Sequence, residues 1–207
     1  MEIYLIRHGE TMWNTFRRLQ GRTDIELNEN GRMLAYKTSE KLKDLKFDRI
    51  YSSPLKRAYE TANIIKADRD IPIITDDRIM EMSFGTNEGC LSEEILADET
   101  NPFRYFFEKP ERYFAPDQGE TFEDVIERGT SFMKEVIEPI ADDNERIMIV
   151  AHGAINKAIM CYVKQHGKDR FWEGDLQKNC GVIIFDYNSD NEGNGYSMIN
   201  EGTVFWD

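Results

Sequence analysis

The sequence predicts an α/β fold in which a β-sheet carries helices on both of its faces. Short apolar runs of strand length alternate along the chain with longer segments whose apolar residues recur at helical spacing. No internal repeat or low-complexity linker divides the chain. We therefore expect one domain that spans residues 1–207.

The predicted elements follow one another in a regular order. Strands are expected at residues 3–6, 47–51, 71–75, 146–151, 182–187 and 196–200, and helices at 32–44, 55–66, 121–137 and 154–163. Residues 78–82 are expected to extend the third strand, and the last two strands to form a hairpin. Ser53 is predicted to cap the helix that Pro54 opens. Thr121 and Asp124 resemble a capping box.

Composition and charge limit the classes of function. The chain is 40% hydrophobic and 31% charged, with a formal net charge of −13. A surface of this sign repels polyphosphate backbones, so we expect no nucleic-acid partner, although a few buried cations can still bind a small phosphate ester. The apolar runs are too short to cross a bilayer, and no membrane partner is expected.

The cysteines and the amino-terminal sequence indicate the cellular compartment in which the protein is expected. Cys90, Cys161 and Cys180 are an odd number without metal-site spacing. The chain enters a strand at once, without the basic and apolar regions of a secretory signal. Reduced thiols in the cytoplasm are the simplest interpretation. A homodimer formed through an edge strand stays open.

Residues 87–118 are the least regular part of the chain. Six of the sixteen residues from 101 to 116 are aromatic. This pattern favours a lid or excursion over the sheet edge that determines specificity, and a helix that packs on the core is the alternative. The sequence alone does not decide between rings that line a pocket and rings in the core.

Two histidines occupy equivalent positions at the ends of strands. His8 follows Leu5-Ile6-Arg7, His152 follows Ile149-Val150-Ala151, and a glycine comes next in both cases. Ligands collect at the carboxyl ends of strands in open α/β sheets. If the two strands are parallel neighbours, both imidazoles lie at one edge with Arg7, which suits an anion. A surface Arg-His pair is the alternative for Arg7 and His8 taken alone. His166, in a polar loop, is interpreted as a solvated surface residue.

Arg57 lies at the start of the helix that follows the second strand. Helix N-termini carry a partial positive charge and free N–H groups, so they suit phosphate. An arginine there has the wrong sign for the helix dipole unless an anion lies between them, or unless its side chain bends to a surface carboxylate.

The chain resembles a known family over nearly its whole length. Residues 5–11, followed by Trp13 and Asn14, closely resemble the signature of the histidine phosphatase superfamily, the phosphoglycerate mutase-like proteins. The other motifs that carry the resemblance are Gln20-Gly21, Leu27-Asn28 before Gly31, residues 52–58 with Thr61-Ala62, Glu81, Phe84-Gly85, Glu88-Gly89, residues 119–121, residues 150–153 and Asn179-Cys180. In pattern the chain is nearest to the small bacterial broad-specificity phosphatases.

The resemblance implies a three-layer α/β/α sandwich, a mostly parallel sheet, a lid-like insertion over its C-terminal edge, and a phosphohistidine mechanism. His8 is the expected nucleophile, and Glu81 the expected proton donor and base. Arg7, Arg57 and His152 are expected to surround the phosphoryl oxygens. Further substrate contacts are expected from Asn14, Gln20, Gly21 and Gly153. No metal and no cofactor are implied. Two guanidiniums and an imidazole can stabilise a transferring phosphoryl group in place of metal ions.

Three functions remain open. A metal-independent phosphomonoesterase that hydrolyses small phosphorylated metabolites is favoured, with the metabolite or inorganic phosphate as ligand. A bisphosphoglycerate-dependent phosphoglycerate mutase is second, but residues 82–118 hold three basic residues against eight acidic ones, and Met82 stands where the mutases have an arginine. A non-catalytic phosphate-binding module is third, because every position that the chemistry needs is filled. Aromatic residues in 101–116 would suit a substrate with a neutral or apolar body.

Overall fold

Six strands form one β-sheet in the computed structural model of the protein, which describes residues 1–206. The strands are Glu2–Arg7 (β1), Arg49–Ser52 (β2), Ile73–Thr75 (β3), Arg146–Ala151 (β4), Val182–Tyr187 (β5) and Tyr196–Thr203 (β6). Their order across the sheet is β3-β2-β4-β1-β5-β6. The first four strands pair in parallel, whereas β5 joins β1 and β6 antiparallel. The predicted homodimer through a sheet edge stays a prediction.

Helices cover both faces of this sheet. The α-helices are Met12–Thr15 (α1), Glu29–Leu42 (α2), Lys56–Lys66 (α3), Ser92–Ala97 (α4), Phe122–Phe132 (α5) and Gly153–Val163 (α6). Alternate residues of β1 enter opposite cores: Ile3 and Leu5 pack with α5 and α6, while Tyr4 and Ile6 pack with α2 and α3. This alternation follows from the two-residue period of a strand. The predicted α/β/α fold class is confirmed.

Two local predictions are wrong. Residues 78–82 do not extend β3, because Asp77–Ile79 form a 3₁₀ turn in which the Asp76 side chain accepts the N–H of Arg78. Ser53 does not cap α3, which begins at Lys56 after Leu55, a cap residue without a side-chain hydrogen bond.

Other predictions agree with the structure. Thr121 and Asp124 form the capping box of α5, and a π-helical turn, Met133–Ile137, continues that helix to the predicted end. The strands β5 and β6 form the predicted antiparallel hairpin. Among residues 1–206, no helix has the length and apolar character to span a membrane.

The aromatic segment is divided between the core and a cavity wall. Phe103, Phe106 and Tyr113 are buried, and the rings of Phe103 and Phe106 stack with centroids 4.4 Å apart. Phe106 and Phe107 also line the cavity described below. Phe114 points away from this cluster and is 70% exposed. The segment folds as two 3₁₀ turns, Pro102–Tyr105 and Pro110–Arg112, rather than as one long helix.

Candidate active site

The register of β1 and β4 brings the two strand-end histidines together. Arg7 is paired with Ala151, so His8 and His152 leave the sheet side by side. Their ring centroids lie 5.1 Å apart, and both side chains are buried. The two motifs, which are 144 positions apart in the chain, therefore meet at one edge of the sheet.

His8 is held as a neutral imidazole with one nitrogen free. Its Nδ1 lies 2.6 Å from the carbonyl oxygen of Gly9. A carbonyl only accepts hydrogen bonds, so Nδ1 carries the proton and Nε2 carries the lone pair. Burial lowers the pKa of His8 well below its ordinary value, and the positive charges of Arg57 and Arg7 lower it further. The imidazole is thus in the form that can act as a nucleophile.

The backbone around His8 is fixed from several sides. The N–H of Gly9 donates to Thr61 Oγ1 at 2.9 Å, and Asn179 donates to the carbonyl of His8 at 3.0 Å. A side chain at position 9 would collide with the carbonyl oxygen of Gly31, which would lie 2.6 Å from its Cβ. Glycine is needed here because α2 approaches the loop so closely.

Arg57 is fully buried at the beginning of α3. Its guanidinium donates to the carbonyls of Gly21 at 2.7 Å and Thr23 at 2.9 Å, and its Nε donates to His152 Nδ1 at 3.2 Å. Burial lowers the pKa of Arg57 to about 10, so the group stays charged at neutral pH. These contacts contradict the alternative of a side chain that bends to a surface carboxylate.

His152 lies behind Arg57 and does not line the cavity. Because its Nδ1 accepts from Arg57, its proton is on Nε2, which donates to Ser53 Oγ at 2.8 Å. Burial, and after it the charge of Arg57, lowers the pKa of His152 well below the ordinary value. The structure therefore places this predicted phosphate contact where it orients Arg57. Ser53, predicted as a helix cap, supplies the acceptor that fixes the tautomer.

Glu81 lies against the N-terminus of α6. Its Oε1 accepts the N–H groups of Met82 at 2.9 Å, Ala154 at 3.1 Å and Ile155 at 3.2 Å. Oε2 shares only the N–H of Ala154, at 3.3 Å, so it is the less hydrogen-bonded oxygen and the one better placed to carry a proton. A methyl group added at Gly153 would lie 3.7 Å from this Oε2 and 3.8 Å from Arg7 Nε. Glu81 Oε2 and Arg7 Nε therefore face the same backbone position at the start of α6.

Arg7 has one hydrogen-bonded end and one free nitrogen. Its Nη1 donates to the carbonyl of Gln177 at 2.6 Å, whereas its buried Nε has no partner within residues 1–206. Burial lowers the pKa of Arg7, and the charge of Glu81 partly restores it. The Gln177 side chain donates to the carbonyls of Leu5 and Gly181. Sequence reasoning missed Gln177, because nothing in its local sequence signals this contact.

These groups surround a cavity of about 280 Å³. We call Arg7, His8, Arg57 and Glu81 the cavity floor. The other predicted substrate contacts also line the cavity: Asn14, Gln20, Gly21 and Gly153.

The amide groups of Asn14 and Gln20 differ in what they offer a ligand. Asn14 Oδ1 accepts the N–H and hydroxyl of Thr11, so the Asn14 side chain has only N–H groups left to donate. The buried Oε1 of Gln20 has no partner within residues 1–206.

The outer wall of the cavity contains three residues that sequence reasoning did not assign to the site, together with Phe107 from the aromatic segment of the expected lid. We call Arg17, Arg18, Phe107 and Trp172 the cavity mouth. The rings of Phe107 and Trp172 pack at a tilt of 46°, with centroids 5.0 Å apart. Two adjacent arginines shortly after the His8 motif could have indicated an anion-binding role. The sequence does not show whether their side chains point into the cavity. His166 lies elsewhere and is half-buried rather than solvated, with an unpartnered buried Nδ1.

The arrangement supplies what phosphoryl transfer needs: a neutral nitrogen nucleophile, the buried guanidinium of Arg57, the half-buried guanidinium of Arg7, a helix N-terminus and a carboxyl group. Within residues 1–206, no three histidine, cysteine, aspartate or glutamate side chains are grouped so that they could hold a metal ion. The chemistry of this floor suits a phosphate monoester.

Comparison with known proteins agrees with this geometry. The family model described as histidine phosphatase superfamily (branch 1) matches residues 3–194. Phosphoserine phosphatase 1 of Hydrogenobacter thermophilus is 33% identical over 83% of this chain and 80% of its own. Phosphoglycerate mutase-like protein 4 of Arabidopsis thaliana is 34% identical over 76% of this chain and 69% of its own.

A solved structure gives the same result for the fold. Bacillus stearothermophilus YhfR superposes with a TM-score of 0.86 at 35% identity, covering 98% of this chain and 97% of that one. The resemblance drawn from the sequence motifs is confirmed. The chain belongs to the histidine phosphatase superfamily.

Proposed function

We propose that this protein is a metal-independent phosphomonoesterase that hydrolyses small phosphorylated metabolites through a phosphohistidine on His8. One observation carries the proposal. The free Nε2 of a neutral, buried imidazole shares a small cavity with two guanidiniums and with the carboxyl group of Glu81, whose Oε2 is its less hydrogen-bonded oxygen.

In the first step, His8 Nε2 attacks phosphorus and the bond to the ester oxygen breaks. Arg7 Nε and the remaining N–H groups of Arg57 bind the phosphoryl oxygens, because guanidinium matches phosphate geometry and stays charged. The departing oxygen takes the proton from Glu81 Oε2 and leaves as an alcohol. The N-terminus of α6 stabilises the negative charge left on Glu81.

In the second step, Glu81 Oε2 accepts a proton from water while the water oxygen attacks phosphorus. The bond between phosphorus and His8 Nε2 breaks, and inorganic phosphate is released. His8 returns to its starting tautomer because Nδ1 keeps its hydrogen bond to Gly9 throughout. His152 takes part as a positioning residue that orients Arg57.

The segment 87–118 is proposed to act as the specificity excursion of a single domain. Its Ser92, Phe106 and Phe107 line the cavity, whereas its basic residues do not. Arg104 and Arg112 instead stack on Tyr105, at 5.3 Å and 4.2 Å from the ring centroid.

The mutase alternative would need cations from this segment for a second phosphate, so these positions disfavour it. Met82 is completely buried and cannot take the place of the mutase arginine.

The decisive test is hydrolysis of p-nitrophenyl phosphate in the presence of a metal chelator. We expect activity in the wild-type protein and a loss of at least about 10⁴-fold in His8→Ala, because the nucleophile is removed. His166→Ala is the matched control and keeps full activity. Rapid quenching should also trap a phosphoenzyme that is stable to base and labile to acid. Full activity in His8→Ala, or an acid-stable adduct, would sink the mechanism.

A further inference from the structure

Arg17 is the residue of the cavity mouth whose guanidinium is not paired with another group in the described part of the chain. It is exposed and lines the same cavity as the floor, and its side chain forms no hydrogen bond or ion pair with residues 1–206. Its neighbour Arg18 is different, because its guanidinium donates to the carbonyl of Gly89. In a chain with a net charge of −13, Arg17 is thus a cation beside the cavity that no acidic group neutralises.

The backbone holds Arg17 firmly in place. Its N–H donates to the carbonyl of Asn14 at 3.0 Å, and its own carbonyl accepts from the N–H and the hydroxyl of Ser92, at 2.9 Å and 2.7 Å. Leu19 donates in turn to Cys90 at 3.1 Å. The loop after α1 is therefore joined to the start of α4, and Arg17 is fixed at the entrance.

The conformation of Arg17 is an unfavourable one for its residue type. Its φ of 53° lies in the left-handed region, just after α1, where glycine is the usual residue. An L-residue other than glycine is less stable there by roughly 1 kcal/mol. An arginine at this position is therefore retained against its backbone preference, which points to a use for the side chain.

We infer that Arg17 binds a carboxylate of the substrate, so that the preferred substrates are phosphomonoesters that also carry a carboxylate group. This inference rests on the proposed phosphatase function. A single guanidinium matches one carboxylate with two parallel hydrogen bonds. A second phosphate, with its larger charge, would need further cations, but Arg18 is engaged with Gly89 and the basic residues of 87–118 lie outside the cavity.

The size of the cavity agrees with this class of substrate. Its volume of about 280 Å³ is that of roughly nine water molecules at about 30 Å³ each, so it holds a phosphate and a short carbon skeleton. The floor takes up the phosphate at the sheet edge. The second charged end of such a molecule then lies at the mouth. This assignment replaces the expectation of a neutral or apolar body.

The test compares substrates that differ in the carboxylate alone. The pairs are 3-phosphoglycerate with glycerol 3-phosphate, and phosphoserine with phosphoethanolamine. We expect kcat/KM in the wild-type protein to favour the carboxylate member of at least one pair by about tenfold or more. Arg17→Gln should reduce that preference to near unity, because kcat/KM falls far more for the member with a carboxylate than for the member without one. Arg17→Lys should retain part of the preference.

The controls separate a local contact from a general effect of charge. Lys41→Gln removes an exposed cation from α2, away from the cavity, and should leave both ratios unchanged. Dissociation constants of the same pairs are measured by calorimetry on His8→Ala, where no turnover is needed. The contact is therefore tested even if p-nitrophenyl phosphate is not hydrolysed and the proposed function fails.

Two results would overturn the inference. The first is that, for both substrate pairs, the ratio between the member with a carboxylate and the member without one is the same in Arg17→Gln as in the wild-type protein. This holds for kcat/KM and for the dissociation constants. The second is a loss confined to fructose 1,6-bisphosphate relative to fructose 6-phosphate, which would assign Arg17 to a second phosphate.

Discussion

The cavity floor and the cavity mouth are held in place in different ways. His8, Arg57 and Glu81 are at most 8% exposed, and each side chain is hydrogen-bonded to backbone groups. The mouth is built from loop residues: Phe107 is 39% exposed, and the Arg17 side chain has no partner within residues 1–206. The floor is therefore held in place before substrate arrives, with His8 Nε2 and Arg7 Nε free for the phosphate, whereas Arg17 at the mouth is free to bind the rest of the substrate.

The floor and the mouth therefore have different roles, the first in phosphoryl transfer and the second in the choice of substrate. A preorganised set of charges stabilises the transferring phosphoryl group without reorganisation, whatever alcohol leaves. Contacts at the mouth touch only the remainder of the substrate, so they determine which ester binds. Changes to the floor should then reduce turnover of all substrates, and changes to the mouth should alter the ratios between substrates.

The largest effect after loss of the nucleophile is expected from Glu81→Gln. Glutamine can keep the three hydrogen bonds to Oε1 but cannot donate the proton of a carboxylic acid. General acid catalysis contributes about 10²–10⁴-fold. We expect kcat/KM to fall by about 10³-fold for glycerol 3-phosphate and by less for p-nitrophenyl phosphate, whose leaving oxygen needs less protonation.

The same variant should accumulate phosphoenzyme, because water also loses its base. Glu138→Gln is a suitable control, since Glu138 accepts hydrogen bonds from Tyr162 and Tyr196 outside the cavity. Equal losses for both esters would show that Glu81 acts only through structure.

The next effect in size is expected in the free energy of unfolding, which should depend on pH through His8 and His152. The pKa values of His8 and His152 are lowered well below 6.5 by burial and by neighbouring arginines. Between about pH 6.5 and 5 the unfolded chain binds protons at these residues and the folded protein does not, so acidification favours unfolding. Two such groups change the free energy of unfolding by up to about 2.7 kcal/mol per pH unit, at about 1.4 each.

Urea denaturation at several pH values measures this slope. His152→Gln should reduce the slope by about half between pH 6.5 and 5 and leave the region above pH 7 flat, where both histidines are neutral in either state. A slope that is identical in the wild-type protein and the variant would mean that the buried imidazole is protonated in the folded protein.

The fold could be predicted because the sequence patterns that indicate it each lie within a single strand or helix. The short apolar runs of β1 and β4, the helical periodicity of α2 and α6, and the capping box at Thr121 each lie within one element. The error at residues 78–82 arose where apolar Ile79 and Met82 are buried without belonging to a strand. Burial alone does not distinguish a strand from a turn that folds into the core.

The site was predictable to the extent that motifs mark strand ends. His8 and Arg7 follow directly from β1. The partners that orient them do not, because Gln177 is 170 positions from Arg7, and Ser53 is 99 positions from His152. The position of His152 behind Arg57 also depends on this long-range hydrogen bonding. The mouth was least predictable, since the side-chain direction of Arg17 depends on how its loop joins α4.

The smallest effect should come from the aromatic part of the mouth, where Phe107→Ala can be compared with Phe114→Ala. Phe107 lines the cavity and packs on Phe106 and Trp172, with both centroid distances 5.0 Å, whereas Phe114 is 70% exposed. An aromatic contact contributes about 0.5–1.5 kcal/mol, so loss of Phe107 should raise KM for p-nitrophenyl phosphate by roughly 2- to 10-fold. The value for glycerol 3-phosphate should change less, because its body has no ring to stack. Phe114→Ala should alter neither. If Phe107→Ala instead lowered kcat equally for both esters, the mouth would be acting through the floor, and the separation between the two regions would not hold.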